Sequence, residues 1–340
     1  MRRPVFFERA IFLSWYCARP TCTFCYMSTI KEQITDPRRA RRRPESILTE
    51  AVIAKACGWK IEFLSGGIHS HSIQELVDIT RQVSSIMGEK QWLNFGIFDQ
   101  HALERFLPYV QGMTGTVECI NPRIHDQVCP DKPLAEVKRM FGLCDRLGLR
   151  KAMTLIVGLG ETEEDIPLLL EFIRKHAVDR ITFYRLIPHP GTPFGEGPAT
   201  KYYCRWIQET RKAFPDLDII AGSWSDRIEE IPALLEAGAD GLTKFQAIKY
   251  FGSRKAEAYH RLVGEAGVDF QSTFLRIDDQ EVQDIIASLD VDEARREKVR
   301  KRTENYLHNM RKRKGMMKGE QGQEEKDGKG KKTGRRGIRT

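Results

Sequence analysis

The stretch KAMTLIVGLGETEEDIPLLLEFIRK, residues 151–175, contains a strand, a turn and a helix in immediate succession. The apolar run that ends at Val157 predicts a buried strand, and Gly158 and Gly160 predict a tight turn. Thr162 precedes three acidic residues, which suit the positive end of a helix dipole and predict a helix over residues 163–175. This succession is the repeating unit of a parallel α/β fold.

The same unit recurs from residue 10 to residue 275. The sequence predicts eight strands, at residues 10–16, 60–64, 92–96, 114–120, 151–157, 180–186, 218–221 and 241–245. It predicts intervening helices at residues 46–57, 72–87, 100–110, 134–147, 163–175, 201–214 and 228–237. Eight strand and helix units suggest a complete (β/α) barrel, in which catalytic groups occupy the loops that follow the strands.

The positive charge is concentrated at the end of the chain. The 340 residues carry a net charge of +8, and residues 311–340 contain twelve Lys or Arg against four Asp or Glu. We expect a barrel domain at residues 1–290, a charged helical extension at 291–314 and a disordered basic tail at 315–340. Because the remainder is close to neutral, nucleic-acid binding is disfavoured. No apolar run reaches about 18 residues and no secretion signal is evident, so we expect no membrane contact and a cytoplasmic location.

Three of the eight cysteines, Cys17, Cys22 and Cys25, lie within nine residues of one loop after the first predicted strand. A structural zinc site normally has four protein ligands, and here only His69 or His71 could complete one. Three thiolates with an open fourth position suit a 4Fe-4S cluster whose unique iron binds a small molecule. The remaining cysteines are expected to be buried small hydrophobic residues; they are Cys57, Cys119, Cys129, Cys144 and Cys204.

The segment CARPTCTFCY, residues 17–26, resembles the signature of the radical S-adenosylmethionine (SAM) superfamily, although its first gap has four residues where three are usual. This resemblance implies a (β/α) barrel of TIM type. It also implies an enzyme whose three cysteines hold a 4Fe-4S cluster that is completed by the amino and carboxylate groups of SAM. The implied reaction is the one-electron cleavage of SAM to methionine and a 5'-deoxyadenosyl radical, which takes hydrogen from a substrate.

Further motifs extend the resemblance to positions that bind SAM in the family. SGGI at residues 65–68 resembles a strand end whose backbone meets the SAM amino group, although a tight turn is the alternative. VGLGETEED at residues 157–165 resembles a segment of biotin synthase and its relatives, although Glu161 could instead cap the helix. The residues that the resemblance assigns to SAM are Phe24, Ser65, Gly66, Gly67, Glu118, Lys132, Ile156, Gly158 and Gly160. For Lys132, a solvated residue at a helix start is the alternative.

IPHPGTPF at residues 187–194 also resembles the biotin synthase group. The candidate substrate-pocket residues are His69, Asn121, Tyr184, Arg185, His189 and Thr192. LSWYC at residues 13–17 and YMST at residues 26–29 resemble HmdB-type proteins of archaeal iron-guanylylpyridinol cofactor biosynthesis. The expected substrate is a small molecule or a short acyl arm. The expected partner is a ferredoxin- or flavodoxin-like electron donor, for which the basic run at residues 38–43 offers either a docking site or only a solvated loop.

Two alternatives stay open at this point. A sulfur-inserting enzyme similar to biotin or lipoyl synthase would need a second cluster, with ligands from among Cys57, Cys119, Cys129 and Cys144. Because Cys57 and Cys144 fall late in predicted helices, we favour carbon-skeleton rearrangement or cleavage. The remoter alternative is a non-catalytic zinc- or RNA-binding protein that uses the three cysteines and the basic tail.

Overall fold

A closed barrel of eight parallel strands forms the centre of the computed structural model, which describes residues 2–329. The strands of the described chain are β1 (Pro4–Phe12), β2 (Lys60–Ser65), β3 (Gln91–Asn94), β4 (Val110–Glu118), β5 (Arg150–Val157), β6 (Arg180–Arg185), β7 (Asp218–Gly222), β8 (Gly241–Thr243) and β9 (Asp269–Phe270). Strands β1 to β8 pair in sequence order, and β1 closes the ring by pairing with both β2 and β8. The predicted α/β barrel of TIM type is therefore confirmed.

Helices surround this barrel. They are α1 (Tyr26–Thr29), α2 (Pro44–Ala56), α3 (Ile73–Met87), α4 (Gln100–Phe106), α5 (Pro122–Val128), α6 (Leu134–Leu147), α7 (Ile166–His176), α8 (Thr200–Ala213), α9 (Ile231–Glu236), α10 (Ala247–Tyr250), α11 (Arg254–Glu265), α12 (Asp279–Ala287) and α13 (Glu293–Lys329). Short 3-10 segments lie at Lys31–Gln33, Pro37–Ala40, Glu163–Asp165 and Ile228–Glu230. Among the described residues, no helix is both long and apolar enough to cross a bilayer.

Local chemistry explains where several of these elements begin and end. Thr162 and Asp165 form the capping box that the acidic run predicts ahead of α7. The first strand lies earlier than the predicted 10–16, because its pairing with β2 ends where Phe12 faces Ser65. Helix α4 stops at Phe106 and not at residue 110, because Pro108 lacks the N–H group that would continue the helical hydrogen bonds. The short strand β9 and helices α10 to α12 have no counterpart in the prediction.

Helix α13 covers the side of the barrel next to α2. Val299, Leu307 and Met310 of α13 are buried, and the hydroxyl of Thr303 lies 3.3 Å from the hydroxyl of Thr49 in α2. The helix includes most of the predicted charged extension at residues 291–314. It continues to Lys329, into the segment for which the sequence predicts a disordered tail. Residues 330–340 lie outside the described part of the chain.

A buried ion pair closes the barrel at the N-terminal ends of its strands. The Arg180 guanidinium lies 2.8 Å from the Glu8 carboxylate and donates to Asp218 at 2.7 Å. The indole ring of Trp92 lies beneath the same guanidinium, 5.2 Å away. With this end filled, the accessible space of the barrel lies at the C-terminal ends of the strands, where the βα loops converge.

Candidate active site

A cavity of about 210 Å³ opens at the C-terminal ends of the strands. All three clustered cysteines, Cys17, Cys22 and Cys25, line it, and these residues belong to the loop after β1. The cavity is also lined by the substrate candidate Tyr184 and by six residues that the resemblance assigns to SAM: Ser65, Gly66, Gly67, Glu118, Lys132 and Ile156. Side chains from β2, β4 and β5 therefore face one space together with the cysteine loop.

Backbone contacts hold the cysteine loop against its neighbours. The Ala18 amide donates to the Ile68 carbonyl at 3.0 Å, and the Thr23 amide donates to the Val128 carbonyl at 3.0 Å. Gly67 permits this approach, because a Cβ atom at that position would lie 1.9 Å from the Tyr16 carbonyl oxygen. The loop is thus tied both to the end of β2 and to α5.

The three thiols have different surroundings. Cys22 is buried beside Cys129, and the hydrogen bond from that thiol, with a smaller contribution from the Lys132 charge, lowers the pKa of Cys22 to about 7. Burial raises the pKa of Cys25 to about 11. Cys129 belongs to the same apolar cluster as Cys22 and Cys119. Sequence reasoning missed this proximity, because Cys129 was expected to be only a buried hydrophobic residue.

Glu118 and Lys132 form an ion pair in the cavity wall. Their charged atoms lie 3.5 Å apart, and the Thr154 hydroxyl donates to the other Glu118 oxygen at 3.1 Å. Burial alone would lower the pKa of Lys132, but the combined attraction of Glu118 and the nearby cysteine thiolates raises it. Glu118 has a φ of 60°, a conformation that is uncommon for a residue with a side chain and that is enriched at ligand sites.

Comparisons with known proteins identify the family of this chain. Residues 16–173 match the family described as the Radical SAM superfamily. The chain is 40% identical over 277 residues to the uncharacterized protein MJ0597 of Methanocaldococcus jannaschii. The aligned region covers 81% of this chain and 76% of that protein. The chain belongs to the radical SAM superfamily. It is therefore an enzyme of the class that its cysteine loop predicts.

Two further similar proteins have named functions. The [FeFe] hydrogenase maturase subunit HydE of Thermotoga maritima is 25% identical over 218 residues, covering 63% of this chain and 62% of that protein. The crystal structure of methylornithine synthase (PylB) superposes with a TM-score of 0.61 at 18% identity, covering 71% of this chain and 72% of that one. The second similarity supports the fold alone.

The superfamily implies a 4Fe-4S cluster and SAM, and the residues of the cavity suit both. Within the residues that the structure describes, no three His, Cys, Asp or Glu side chains surround one metal ion. Each thiolate of such a cluster binds a different iron, however, so the three ligands need to border a shared space and not to converge on a point. Cys17, Cys22 and Cys25 do so. Neither His69 nor His71 lines this cavity, which removes support for a zinc site with a histidine as fourth ligand.

The glycine turn after β5 lies outside the lining of the cavity that the three cysteines border. The Glu161 carboxylate accepts the Gly158 amide at 2.5 Å and the Leu159 amide at 2.8 Å, so it holds its own turn. Gly158 and Gly160 have φ values of 113° and 118°, which only glycine adopts readily. Of this segment's predicted SAM contacts, Ile156 alone lines the cavity. The assignment of the two glycines to SAM stays a prediction.

A second cavity of about 520 Å³ adjoins the first and shares four of its lining residues, Phe12, Cys25, Met27 and Lys244. Aromatic side chains dominate its wall, among them Phe24 and Trp224, and His189 also contributes. Phe24, which was predicted to contact SAM, therefore faces the second cavity. Tyr184 lines the first cavity and also a smaller pocket of about 140 Å³, together with Arg185 and His189.

The remaining substrate-pocket candidates have structural partners elsewhere. The Asn121 side chain caps α5 and donates to Asp165 at 2.8 Å. His69 lines a separate cavity of about 200 Å³. The Thr192 hydroxyl donates to the His189 carbonyl within its own loop, at 2.7 Å. Arg185 is buried and pairs with Glu230 at 3.2 Å.

Lys244 is the residue of this region that sequence reasoning overlooked. It follows β8 directly, lines both cavities, and holds its ammonium 4.3 Å from the centre of the Tyr184 ring. The rule that directed attention to Cys17, Gly66 and Asn121, that functional groups follow barrel strands, applies equally to Lys244. The sequence GLTK matches no known motif, so only the position of Lys244 directly after a strand could have indicated it.

Proposed function

We propose that the protein holds a 4Fe-4S cluster on Cys17, Cys22 and Cys25, binds SAM beside it, and abstracts hydrogen from a small substrate. When bound, the cluster would supply the electron that splits SAM into methionine and a 5'-deoxyadenosyl radical. The observation that carries the proposal is that the three cysteines, Glu118 and Lys132 border one cavity at the C-terminal end of the barrel.

The chain's own residues would bind and orient the reactants. Glu118 would take up the ammonium of SAM, and Lys132 would attract its carboxylate. The glycines Gly66 and Gly67 line the cavity without side chains, so a ligand could approach their backbone closely. The closed lower end of the barrel, with Trp92 and Arg180, would limit the access of water to a reactive radical.

Carbon-skeleton rearrangement or cleavage is the reaction type that we favour over sulfur insertion. Cys57 and Cys144 are fully buried in the main apolar core between the barrel and its helices. Cys119 and Cys129 are buried in the cluster that contains Cys22. The described cysteines therefore offer no second group of exposed ligands for a sulfur-donating cluster.

Cofactor biosynthesis is the role that we propose for this reaction, of the iron-guanylylpyridinol type suggested by the HmdB-like segments at residues 13–17 and 26–29. The similarity to a hydrogenase maturase subunit and to an archaeal protein is compatible with such a role. The substrate would be a small molecule or a short acyl arm that enters the second cavity. A cytoplasmic location would give the enzyme its reduced donor.

An acidic ferredoxin- or flavodoxin-like protein would supply the electron. Four arginines of the basic run, Arg38, Arg41, Arg42 and Arg43, border a surface cavity of about 350 Å³. Arg41 and Arg42 are paired with Glu75 and Glu50, whereas Arg43 has no ion pair among residues 2–311. The unpaired positive charge supports docking of an acidic partner.

Formation of 5'-deoxyadenosine by anaerobically reconstituted protein under dithionite tests the proposal. We expect it from the parent and from the matched control Cys204→Ala, but not from a Cys17→Ala, Cys22→Ala, Cys25→Ala triple variant. About four iron atoms per chain would fit one cluster, whereas about eight would favour sulfur insertion. A parent that carries a full cluster and yet makes no 5'-deoxyadenosine would refute the proposal. Colourless protein with one bound zinc would favour the non-catalytic alternative.

A further inference from the structure

Lys244 lies where the two cavities meet, one residue beyond the end of β8. Its Nζ has no hydrogen-bond or ion-pair partner among the side chains that the structure describes, and its one polar contact is the face of the Tyr184 ring. We propose that Lys244 binds a carboxylate of the substrate in the second cavity. This inference rests on the proposed function, because it names the class of substrate for the same site.

The nearby carboxylates are already engaged with other groups. Glu62 accepts the Thr243 hydroxyl at 2.7 Å and also the Tyr184 hydroxyl. Glu118 pairs with Lys132 and accepts the Thr154 hydroxyl. Lys244 is thus left with the weak attraction of an aromatic face, which does not satisfy three N–H donors. A partly buried ammonium in this state is stabilised when a ligand supplies the missing negative charge.

The backbone of Lys244 holds the side chain in this position. Its φ is 73°, in the left-handed region that residues with a Cβ atom adopt rarely. Two neighbours fix the turn: Phe245 is fully buried, and the Gln246 amide donates to the Ser225 hydroxyl at 2.9 Å. Such conformations persist where the surrounding structure over-determines them, and they are concentrated at functional sites.

The wall of the second cavity selects the rest of the substrate. Its aromatic members are Phe7, Phe12, Trp15, Phe24, Tyr26 and Trp224. The other charged lining residues are neutralised, because Glu8 pairs with Arg180 and Arg9 pairs with Glu50. Lys244 is therefore the one unpaired charge among the described lining residues. An apolar or unsaturated body with a single carboxylate matches this arrangement.

The same position brings the bound substrate near the reactive end of the site. Lys244 lines the cavity of the three cysteines as well as the aromatic cavity, and Cys25 and Met27 are common to both. A carboxylate held at Lys244 would leave the apolar body in the aromatic cavity, with one part of it facing the cysteine side. The ammonium would fix which carbon is presented there.

Calorimetric titration of cluster-loaded protein with matched pairs of ligands tests the inference. The probes are benzoate, cinnamate and 2-naphthoate, each paired with its primary amide, which has nearly the same shape but no charge. We expect the parent to prefer at least one acid over its amide by about tenfold or more. Lys244→Met should abolish this preference while leaving the amide affinity unchanged, and Lys244→Arg should retain part of it.

Three results would overturn the inference. One is equal affinity of the parent for every acid and its amide, including no binding of either. Another is an acid preference that survives in a folded Lys244→Met protein. The third is a preference that disappears when SAM saturates the parent, which would make Lys244 a contact of SAM. Circular dichroism of both variants verifies folding, and Lys244→Gln, which also removes the charge, replaces Lys244→Met if the latter does not fold.

The failure of the proposed function would look different. Formation of 5'-deoxyadenosine by the parent without substrate tests the radical chemistry separately, because this assay uses no Lys244 variant. Loss of 5'-deoxyadenosine in the parent would overturn the radical chemistry, whereas the acid and amide titrations would still decide whether the lysine binds carboxylates.

Discussion

The backbone of the cysteine loop packs directly against Gly67, which follows β2. A Cβ atom there would lie 1.9 Å from the Tyr16 carbonyl and 2.5 Å from the Cys17 Cα. Backbone on both sides leaves no flexible group to move, so we expect Gly67→Ala to displace Cys17 and to cost about 1–3 kcal/mol.

Iron content after reconstitution measures this displacement. Gly67→Ala should bind markedly less iron than the parent, because one cluster ligand moves. Gly195→Ala is the matched control, since a Cβ atom at Gly195 meets nothing within 4 Å. Equal iron content in the two variants would contradict the idea that the close approach at Gly67 orders the loop.

Glu118 is the other residue on which the site depends. In Glu118→Gln the amide cannot balance the charge of Lys132 or of a SAM ammonium, so we expect SAM affinity to fall by about tenfold or more. We also expect a lower unfolding temperature, because Lys132 loses the carboxylate that lies 3.5 Å from it.

Equilibrium dialysis of SAM against the cluster-loaded variants provides the measurement. Thr154→Val is the control, because it removes only the hydroxyl that donates to Glu118 and keeps the carboxylate. If Glu118→Gln lowers the unfolding temperature but leaves SAM affinity at the parent's value, then the ion pair with Lys132 is structural and SAM binds elsewhere.

At the scale of elements, the sequence predicted all eight barrel strands, because each is a short apolar run that ends in a turn. It could not predict that β2 contributes two successive residues to the barrel interior. A register shift between Arg9 and Ala10 allows Phe63 to pack in the interior beside Trp92 while Glu62 accepts the Thr243 hydroxyl. Such a shift depends on the pairing of two strands and leaves no local pattern.

The segment between α5 and α6 likewise contains site residues that the sequence could not predict. His125 is buried, with one ring nitrogen 2.9 Å from the Val117 carbonyl and the other 2.7 Å from the Lys132 carbonyl. These contacts fold the segment back, so that Cys129 meets Cys22 and Lys132 meets Glu118. The resemblance named Lys132, but nothing in the spacing indicated Cys129 or His125, because their roles arise from tertiary contacts.

Helix α13 provides an element-scale prediction. Its described apolar contacts end at Met310, and each of Val299, Leu307 and Met310 contributes about 1.5–3 kcal/mol by burial. We expect a chain that ends at residue 311 to unfold within a few degrees of the parent. A chain that ends at residue 292 should lose several kcal/mol and expose the outer face of α2.

Thermal unfolding of the two truncated chains, followed by circular dichroism, checks this expectation. The 5'-deoxyadenosine assay of the longer chain adds a functional reading, which should match that of the parent if residues 312–340 form a separate element. A large loss of stability on removing residues 312–340 alone would mean that this segment supports the barrel.

For the molecule as a whole, the closed end of the barrel gives stability a dependence on pH. Arg180 faces two carboxylates, Glu8 and Asp218, and Glu8 is the more deeply buried of them. Burial raises the pKa of Glu8 to about 7, against the partial opposing effect of the Arg180 charge. One guanidinium can neutralise only one of the two carboxylates, so the buried carboxyl group of Glu8 keeps its proton up to about pH 7.

The sign of the effect follows from where this proton is bound. Between pH 4.5, the ordinary pKa of a glutamate, and about 7, the folded protein binds a proton at Glu8 that the unfolded chain has released. The contribution of Glu8 to stability is therefore complete below pH 4.5 and is lost as the pH rises through 7, with an upper limit of about 3 kcal/mol.

Unfolding temperatures of the parent and of Glu8→Gln, measured from pH 5 to pH 8, isolate this contribution. Glutamine keeps the polar shape of the protonated acid at every pH, so the parent should match the variant near pH 5 and fall below it by several degrees near pH 8. If instead the parent gains stability over the variant as the pH rises, then the Arg180 charge outweighs burial and Glu8 is ionised in the folded barrel. In that case the ion pair between Arg180 and Glu8 would itself stabilise the barrel, whose opposite, open end holds the proposed site for SAM and substrate.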